Sequence, residues 1–329
     1  MQLTILGSAT PYPVPGNACS GYLLQGGATS LWIDAGTGTL AELQRHIALT
    51  DLDAIFISHR HADHTADLLV AYYALRFSSL WGGAAGSGVA AGAGVAAGAR
   101  SGSAAGAVSG SGAASQSHAR RRIRVFGPEA LAERLAEFLG PDALQGLHEV
   151  FDFTEMSGWA DAVVGDLALS WGPVSHGVPA FALTATGPAG ASIGSSSAVA
   201  SSDTATLSDA GAAAPSSDRV GGTSPYTTPV LTSTFTYSGD TAPCTSLVEM
   251  AEESSVLLCE VGYNRDALGE PAVHHTPEDA GRTATAAGVS TIILTHVADD
   301  LAPADAARRA AAHFAGTIEL ATPGRAFAL

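Results

Sequence analysis

Lysine is absent from this chain: all 15 of its basic residues are arginines, set against 31 acidic residues, which gives a formal charge of −16 over 329 residues. A protein that works on a polyanion carries a basic footprint that displaces counterions from phosphates. The one local candidate is Arg120-Arg121-Arg122 with Arg124, which reads as a solvated approach to a strand. RNA is therefore disfavoured as a partner. Cysteine is scarce as well: Cys19, Cys244 and Cys259 are odd in number and form no Cys-x-x-Cys pair, which argues against a disulfide framework and a thiolate zinc site. No apolar run is long enough to span a bilayer. The start, Met1-Gln2-Leu3-Thr4-Ile5-Leu6-Gly7, has the pattern of a strand and lacks the basic and apolar parts of a signal peptide. The expected location is the cytoplasm, with no membrane partner.

What is present is a chain 46% hydrophobic and only 14% charged, long enough to bury a sizeable core. Two stretches have too little to bury to offset the entropy of ordering them. From Gly82 to Ser117 the residues are Gly, Ala or Ser apart from Val89, Val95, Arg100, Val108 and Gln116, and Gly187 to about Pro225 is similarly rich in small and polar residues. They read as flexible insertions, at about 82–117 and 187–225, in a single domain spanning 1–329.

Elsewhere short β-branched and aromatic runs alternate with amphipathic stretches. Strands are expected at Gln2–Leu6, Gly21–Gln25, Ser30–Asp34, Ala54–Ser58, Ile123–Phe126, Leu167–Trp171, Ala180–Thr184, Val230–Tyr237, Val256–Glu260 and Thr291–Thr295. Helices are expected at Thr39–Ile47, Thr65–Phe77, Pro128–Leu139, Thr245–Glu252, Pro277–Ala287 and Pro303–Phe314; Pro128, Pro277 and Pro303 suit a first helical turn. The order suggests two packed sheets with helices outside, an α/β fold.

The chemistry is concentrated in Ile55-Phe56-Ile57-Ser58-His59-Arg60-His61-Ala62-Asp63-His64, where a strand of buried character runs into three imidazoles and a carboxylate. Such side chains are the ligands that Zn²⁺, Mn²⁺ and Fe accept, and a histidine-rich surface turn has no packing reason to follow a core strand. Four clustered ligands do not complete two metal sites, so further ligands are needed at the ends of later strands. His176 follows Leu167–Trp171, Asp240 ends Tyr237-Ser238-Gly239-Asp240-Thr241, and His296 ends Ile292-Ile293-Leu294-Thr295.

This succession of His-x-His-x-Asp-His, a lone His, Ser-Gly-Asp-Thr and Leu-Thr-His resembles the metallo-β-lactamase superfamily, in motif order and over nearly the whole chain outside the insertions. Trp32-Ile33-Asp34-Ala35-Gly36 resembles that superfamily's structural aspartate. Val174-Ser175-His176-Gly177-Val178-Pro179-Ala180-Phe181 and His274-His275-Thr276-Pro277-Glu278-Asp279-Ala280 are most similar to its ribonuclease Z branch. The resemblance implies an αββα four-layer sandwich and two divalent metal ions, zinc by first expectation, with manganese or iron as alternatives. It puts His59, His61 and His176 on one ion and Asp63, His64 and His296 on the other, with Asp240 bridging. It also implies that Asp63 acts as general base and His274 as proton donor to the leaving group, while adjacent His275 takes the bland reading of a surface histidine before a helix. The resulting expectation is a dinuclear hydrolase of a small phosphodiester or related ester.

Val297-Ala298-Asp299-Asp300 departs from the ribonuclease Z pattern, which has Phe-Ser and a nearby basic residue after the last motif histidine. The insertion after His176 holds Arg219 alone against Asp203, Asp209 and Asp218, where tRNA-processing members carry a tRNA-holding arm. A tRNA 3′-end endonuclease is accordingly the alternative, alongside a carboxylic ester, thioester or lactone hydrolase and a scaffold protein without turnover. Neither a monomer nor a homodimer is selected. Two weaker motifs are set aside: Gly36-Thr37-Gly38-Thr39-Leu40-Ala41, a dinucleotide-type turn without its acidic partner, and Gly190-Ala191-Ser192-Ile193-Gly194, a chance nucleophile-elbow match in a small-residue tract.

Overall fold

The computed structural model describes residues 1–78, 121–140, 142–189, 231–265 and 271–329. Residues 82–117, 190–225 and Arg120 lie outside them. The first sheet contains β1 (Gln2–Ala9), β2 (Ala18–Cys19), β3 (Gly21–Gly26), β4 (Thr29–Ile33), β5 (Ala54–Phe56), β6 (Ile123–Pro128) and β7 (Phe151–Met156). The second contains β8 (Ala160–Val164), β9 (Leu167–Pro173), β10 (Phe181–Pro188), β11 (Thr232–Tyr237), β12 (Val256–Val261), β13 (Thr291–Val297) and β14 (Thr317–Leu320). The last strand, β15 (Ala326–Ala328), returns to the first sheet, whose order is β15-β1-β3-β4-β5-β6-β7 with β2 paired to β1; the second runs β14-β13-β12-β11-β10-β9-β8.

Alternation along the strands explains why the sheets stack. In β4 the side chains of Leu31 and Ile33 enter the core between the sheets, whereas Trp32 packs on the outer side with the helices. Strands apolar on both faces must be covered on both. The central layer joins Leu3, Tyr22, Phe56 and Phe126 to Trp171, Leu183, Phe235 and Tyr237. Outside the first sheet lie α1 (Thr39–Leu43), α2 (Ala62–Phe77), α3 (Leu131–Leu139) and α4 (Ala143–Val150), burying Leu68, Leu75, Leu135 and Leu147 against Ile55 and Val125. Outside the second lie α5 (Thr245–Ala251), α6 (Pro277–Ala287) and α7 (Pro303–Ala310), burying Leu247, Ala280, Ala284 and Ala306 against Leu257, Cys259 and Ile292. The four layers expected from the motifs are the ones found.

Several boundaries differ from expectation. α2 begins at Ala62 rather than Thr65, so Asp63 and His64 sit on its first turn. Pro128 does not open a helix; it ends β6, and α3 starts at Leu131 after Ala130 adopts φ 59°. Gly187 and Pro188, assigned to an insertion, complete β10, paired to Ser233 and Thr232. α1 and α7 stop at Leu43 and Ala310, short of Ile47 and Phe314. Edge elements β7, β8, β14 and β15, together with α4, were not anticipated, because short strands with one exposed face lack a long apolar run.

The topology gathers one set of strand ends. β4 to β7 are mutually parallel, as are β11 to β14, so their C-terminal ends share an edge. β9 is antiparallel to β10, which is antiparallel to β11, so β9 ends at that edge too. The two sheets are tied there: Phe181 N donates to Ser58 O at 2.9 Å. Gly36 makes the close packing of β4 and α2 possible, since a Cβ there would lie 2.0 Å from Asp63 O and 2.7 Å from Ser20 O. Gly36→Ala is expected to cost about 1–3 kcal/mol through overpacking, read by urea unfolding, and to lower bound metal per chain; wild-type stability and metal content would show that the backbone yields freely.

Candidate metal centre

Asp34 follows β4 with φ 54°, a conformation that acidic residues tolerate better than most, and it is fully buried. Its Oδ1 accepts from Ser58 N at 2.7 Å, while Oδ2 accepts from Ser58 Oγ at 2.8 Å, His64 Nδ1 at 2.7 Å and Tyr237 Oη at 2.7 Å. One carboxylate thereby fixes the loop after β5, the first turn of α2 and the last residue of β11.

Around this hub His59, His64 and His176 each turn one nitrogen to the protein and the other to a common space, the arrangement that fixes ligand tautomers in metal sites. His64 uses Nδ1 on Asp34, leaving Nε2 facing Asp240 Oδ2 at 3.4 Å and Asp63 Oδ2 at 3.6 Å. His176 donates from Nδ1 to Val273 O at 2.8 Å, and its Nε2 lies 3.2 Å from His61 Nδ1. His59 meets Ser58 Oγ through Nδ1 at 3.1 Å and presents Nε2 to His61 Nδ1 at 2.9 Å. His296 bonds Ser20 Oγ through Nδ1 at 2.9 Å, and its Nε2 lies 3.2 Å from Asp240 Oδ2 and 3.9 Å from Asp63 Oδ2.

His296 is placed by a bulge. Glu260 pairs with Thr295 and Val261 with Val297, so His296 is skipped between them, with φ 50°. An extra residue in a parallel ladder re-aims a side chain at the cost of local strain. Asp240 follows Gly239, whose φ of 60° allows the turn.

All seven expected ligands therefore converge. His59, His61 and His176 form one group, Asp63, His64 and His296 another, with ligand atoms in each group within 4.8 Å of one another; His59-His64-Asp240 and Asp240-His274-His296 meet the same limit and link them. Asp240 is the common member, as a bridging carboxylate would be. The donor set fits divalent cations on a further observation: His64 Nε2 and Asp240 Oδ1 are buried without a hydrogen-bond partner, an arrangement costly unless something else meets them.

The electrostatics agree. Burial, helped by the charges of His64 and His176, holds His59 well below the ordinary histidine range, and burial and His176 lower His61; both favour the neutral imidazole that binds metal. His64 is pushed well above that range although burial opposes it, because Asp240 and Asp34 flank it. Burial disfavours the Asp240 carboxylate, but His296, His64 and His59 hold it well below the usual carboxylate range.

His274, expected as proton donor, stands beside this cluster. Its Nδ1 lies 3.1 Å from Glu260 Oε1 and 3.9 Å from Asp240 Oδ2. Burial opposes its charge, but the hydrogen bond and charge of Glu260 and the charge of Asp240 raise it to about 9. Glu260 was missed from sequence; the signal available was an acid within the otherwise apolar β12. Its carboxylate also accepts from Thr241 N, Gly262 N and His275 N. His275, read from sequence as a surface histidine, is instead fully buried, its ring held between Thr241 O at 2.6 Å and Thr283 Oγ1 at 3.0 Å. The dinucleotide-type turn is filled from within: Leu40 N at the start of α1 donates to Asp67 Oδ2 at 2.7 Å.

The family described as Anti-Pycsar protein Apyc1 matches residues 1–80, the portion carrying the first four candidate ligands. The uncharacterized protein Rv1339 of Mycobacterium tuberculosis is 25% identical over 322 residues, 97% of this chain and 88% of that protein. Ribonuclease Z of Myxococcus xanthus is 26% identical over 346 residues, covering 98% and 96%. The crystal structure of the metallo-β-lactamase fold protein YhfI of Bacillus subtilis superposes with a TM-score of 0.66 at 19% identity, over 99% of this chain and 98% of that one. The chain has the metallo-β-lactamase fold. That fold implies divalent metal ions, and the His/Asp groups at the shared strand edge are where this chain could hold them. Among the described residues no helix is long and apolar enough to cross a membrane.

Asp34→Ala strips the buried donors of Ser58, His64 and Tyr237 of their acceptor. The expected loss is about 3–5 kcal/mol of unfolding free energy with a fall in bound metal; a variant retaining both would show that these donors find other partners.

Proposed function

We propose that this metal-dependent hydrolase binds two divalent ions and cleaves a phosphodiester or related ester of a small molecule. Zinc is the ion the imidazole-rich donor set suits best, with manganese or iron as alternatives. The observation that carries this reading is that the two ligand triads are linked through Asp240, which groups with His59 of one and with His64 and His296 of the other.

When bound, paired cations lower the pKa of water to about 7 and stabilise charge growing on a phosphoryl or acyl oxygen. His59, His61 and His176 would hold one ion, and Asp63, His64 and His296 the other. The protein's own groups supply the proton traffic. Asp63, on the first turn of α2, is one-tenth exposed at the side-chain level and is the carboxylate positioned to take a proton from the attacking water. His274 carries the proton the leaving oxygen needs: its Nδ1 is engaged by Glu260 Oε1, which leaves Nε2 free to donate. Glu260 keeps the ring charged and oriented, so the two act as one unit.

A small substrate suits the charge distribution better than RNA. Arg121, Arg122 and Arg124, from the one basic run, are engaged by this chain: Arg121 with Asp53 at 2.7 Å, Arg122 with Asp152 at 3.5 Å and Arg124 with Val163 O at 2.8 Å.

Metal analysis of purified protein should find two equivalents per chain, and Asp240→Ala should lose at least one. Metal-loaded protein should hydrolyse bis-p-nitrophenyl phosphate in preference to p-nitrophenyl acetate; the reverse preference would make it a carboxylic ester hydrolase, and cleavage of precursor tRNA with steep salt dependence would make it a nuclease. Asp63→Ala should lower kcat by about 10²-fold or more with the fold retained, and full activity would remove this aspartate from the chemistry. His274→Ala should slow substrates with poor leaving groups more than p-nitrophenyl esters, since a leaving group that departs as a stable anion needs no proton. An equal loss on both would deny His274 the role of acid.

A further inference from the structure

A cavity of about 480 Å³ lies against the His296 side of the metal centre, between the loop after β1 and the loop after β13. This size falls in the range of pockets that take small organic groups. Thr10 lines it, and the Thr10 hydroxyl is 2.6 Å from His296 Nε2, the atom that faces Asp240. One residue thus borders both the cavity and the ligand cluster.

The walls are mainly apolar. Tyr12, Val14, Ala298, Leu301, Leu320 and Pro323 contribute to them, and most of the polar side chains there are engaged. Ser8 Oγ donates to Ala321 O at 2.8 Å, Ser8 N to Asn17 Oδ1 at 2.9 Å, and Thr295 Oγ1 is paired with Tyr22 Oη at 2.7 Å. The one carboxylate, Asp299, accepts from Tyr12 Oη at 3.0 Å across the mouth. No cationic side chain is among the described residues lining it. Tyr12 and Val14 leave 52% and 45% of their surface in water, an exposure that a bound apolar group would remove.

We propose that this cavity is a substrate subsite for an uncharged aromatic or similarly flat apolar ester substituent. The inference rests on the hydrolase reading above and narrows it. The phosphoryl group stays over the ligand cluster, and one ester arm turns past Thr10 into the cavity. A second phosphate, as in a polynucleotide, would meet Asp299 and no counter-charge. The residues after His296 that depart from the ribonuclease Z pattern, Val297-Ala298-Asp299, are the ones that build this wall.

The test compares diphenyl phosphate with dimethyl phosphate on zinc-loaded protein by titration calorimetry. Diphenyl phosphate should bind at least about ten-fold more tightly, the gain expected from burying an aromatic ring, and the gap should shrink to about two-fold in Val14→Arg and in Tyr12→Ala. Both substitutions are at half-exposed positions. Equal affinities in the wild type, or a gap that survives both substitutions, would overturn the subsite. Saturation-transfer NMR with phenol on metal-free protein separates this from failure of the hydrolase reading. Transfer that is present in the wild type and lost in Val14→Arg supports the cavity even where bis-p-nitrophenyl phosphate is not cleaved; no transfer in the wild type removes it.

Discussion

A single buried carboxylate holds the centre together. Asp34 receives hydrogen bonds from Ser58, His64 and Tyr237, so the end of β5, the beginning of α2 and the end of β11 are positioned relative to one group. A fully buried ion is expensive to desolvate, and here the compensation is four directed donors. The two sheets supply opposite sides of that set. An error in their relative placement would leave donors or the carboxylate unmet, so the stacking of the sandwich and the geometry of the ligand cluster are specified by the same contacts.

Strain is the second ingredient. Asp34 and His296 both have positive φ, and neither is glycine. Each sits at the C-terminal end of a parallel strand, where the ladder stops and the side chain must swing from the sheet face toward the neighbouring sheet. At His296 the swing is made by leaving the residue out of the pairing with β12. Ser20 then fixes Nδ1 of the same ring from the other sheet. Conformational cost is concentrated where the ring must point, and the surrounding apolar layers, with Phe126, Trp171 and Phe235 between the sheets, over-determine the backbone enough to hold it.

How far this was legible in the sequence depends on the kind of signal. The run through His59, His61, Asp63 and His64 is local, and local clusters of ligands have no bland alternative at the end of a core strand. His176, Asp240 and His296 were legible because each ends a strand whose apolar pattern is strong, and the fold then places those ends together. The His274–Glu260 pair was only half visible: His274 stood out by its neighbours, but Glu260 lies within an apolar run, and nothing in a linear pattern says that β12 ends beside residue 274. Thr10 and Ser20 are ordinary hydroxyl residues whose role depends wholly on a contact across roughly the length of the chain. The edge strands β7, β8, β14 and β15 were missed for a different reason, since an edge strand with one wet face has half the apolar signal of a central one.

The charge of the chain becomes intelligible at the centre. Two divalent cations would be balanced within the ligand set by only Asp63 and Asp240, leaving a local excess of positive charge in a protein of formal charge −16. A cation is the largest local charge in such a site and sets its potential regardless of the distant surface. On the proposed reading, an anionic ester would be attracted to the strand-end edge without a lysine anywhere in the chain, while the excess of acidic residues would repel extended polyanions over the reach of a Debye length, about 8 Å at physiological ionic strength. A charge distribution of that kind would draw one phosphate inward and keep a chain of them away.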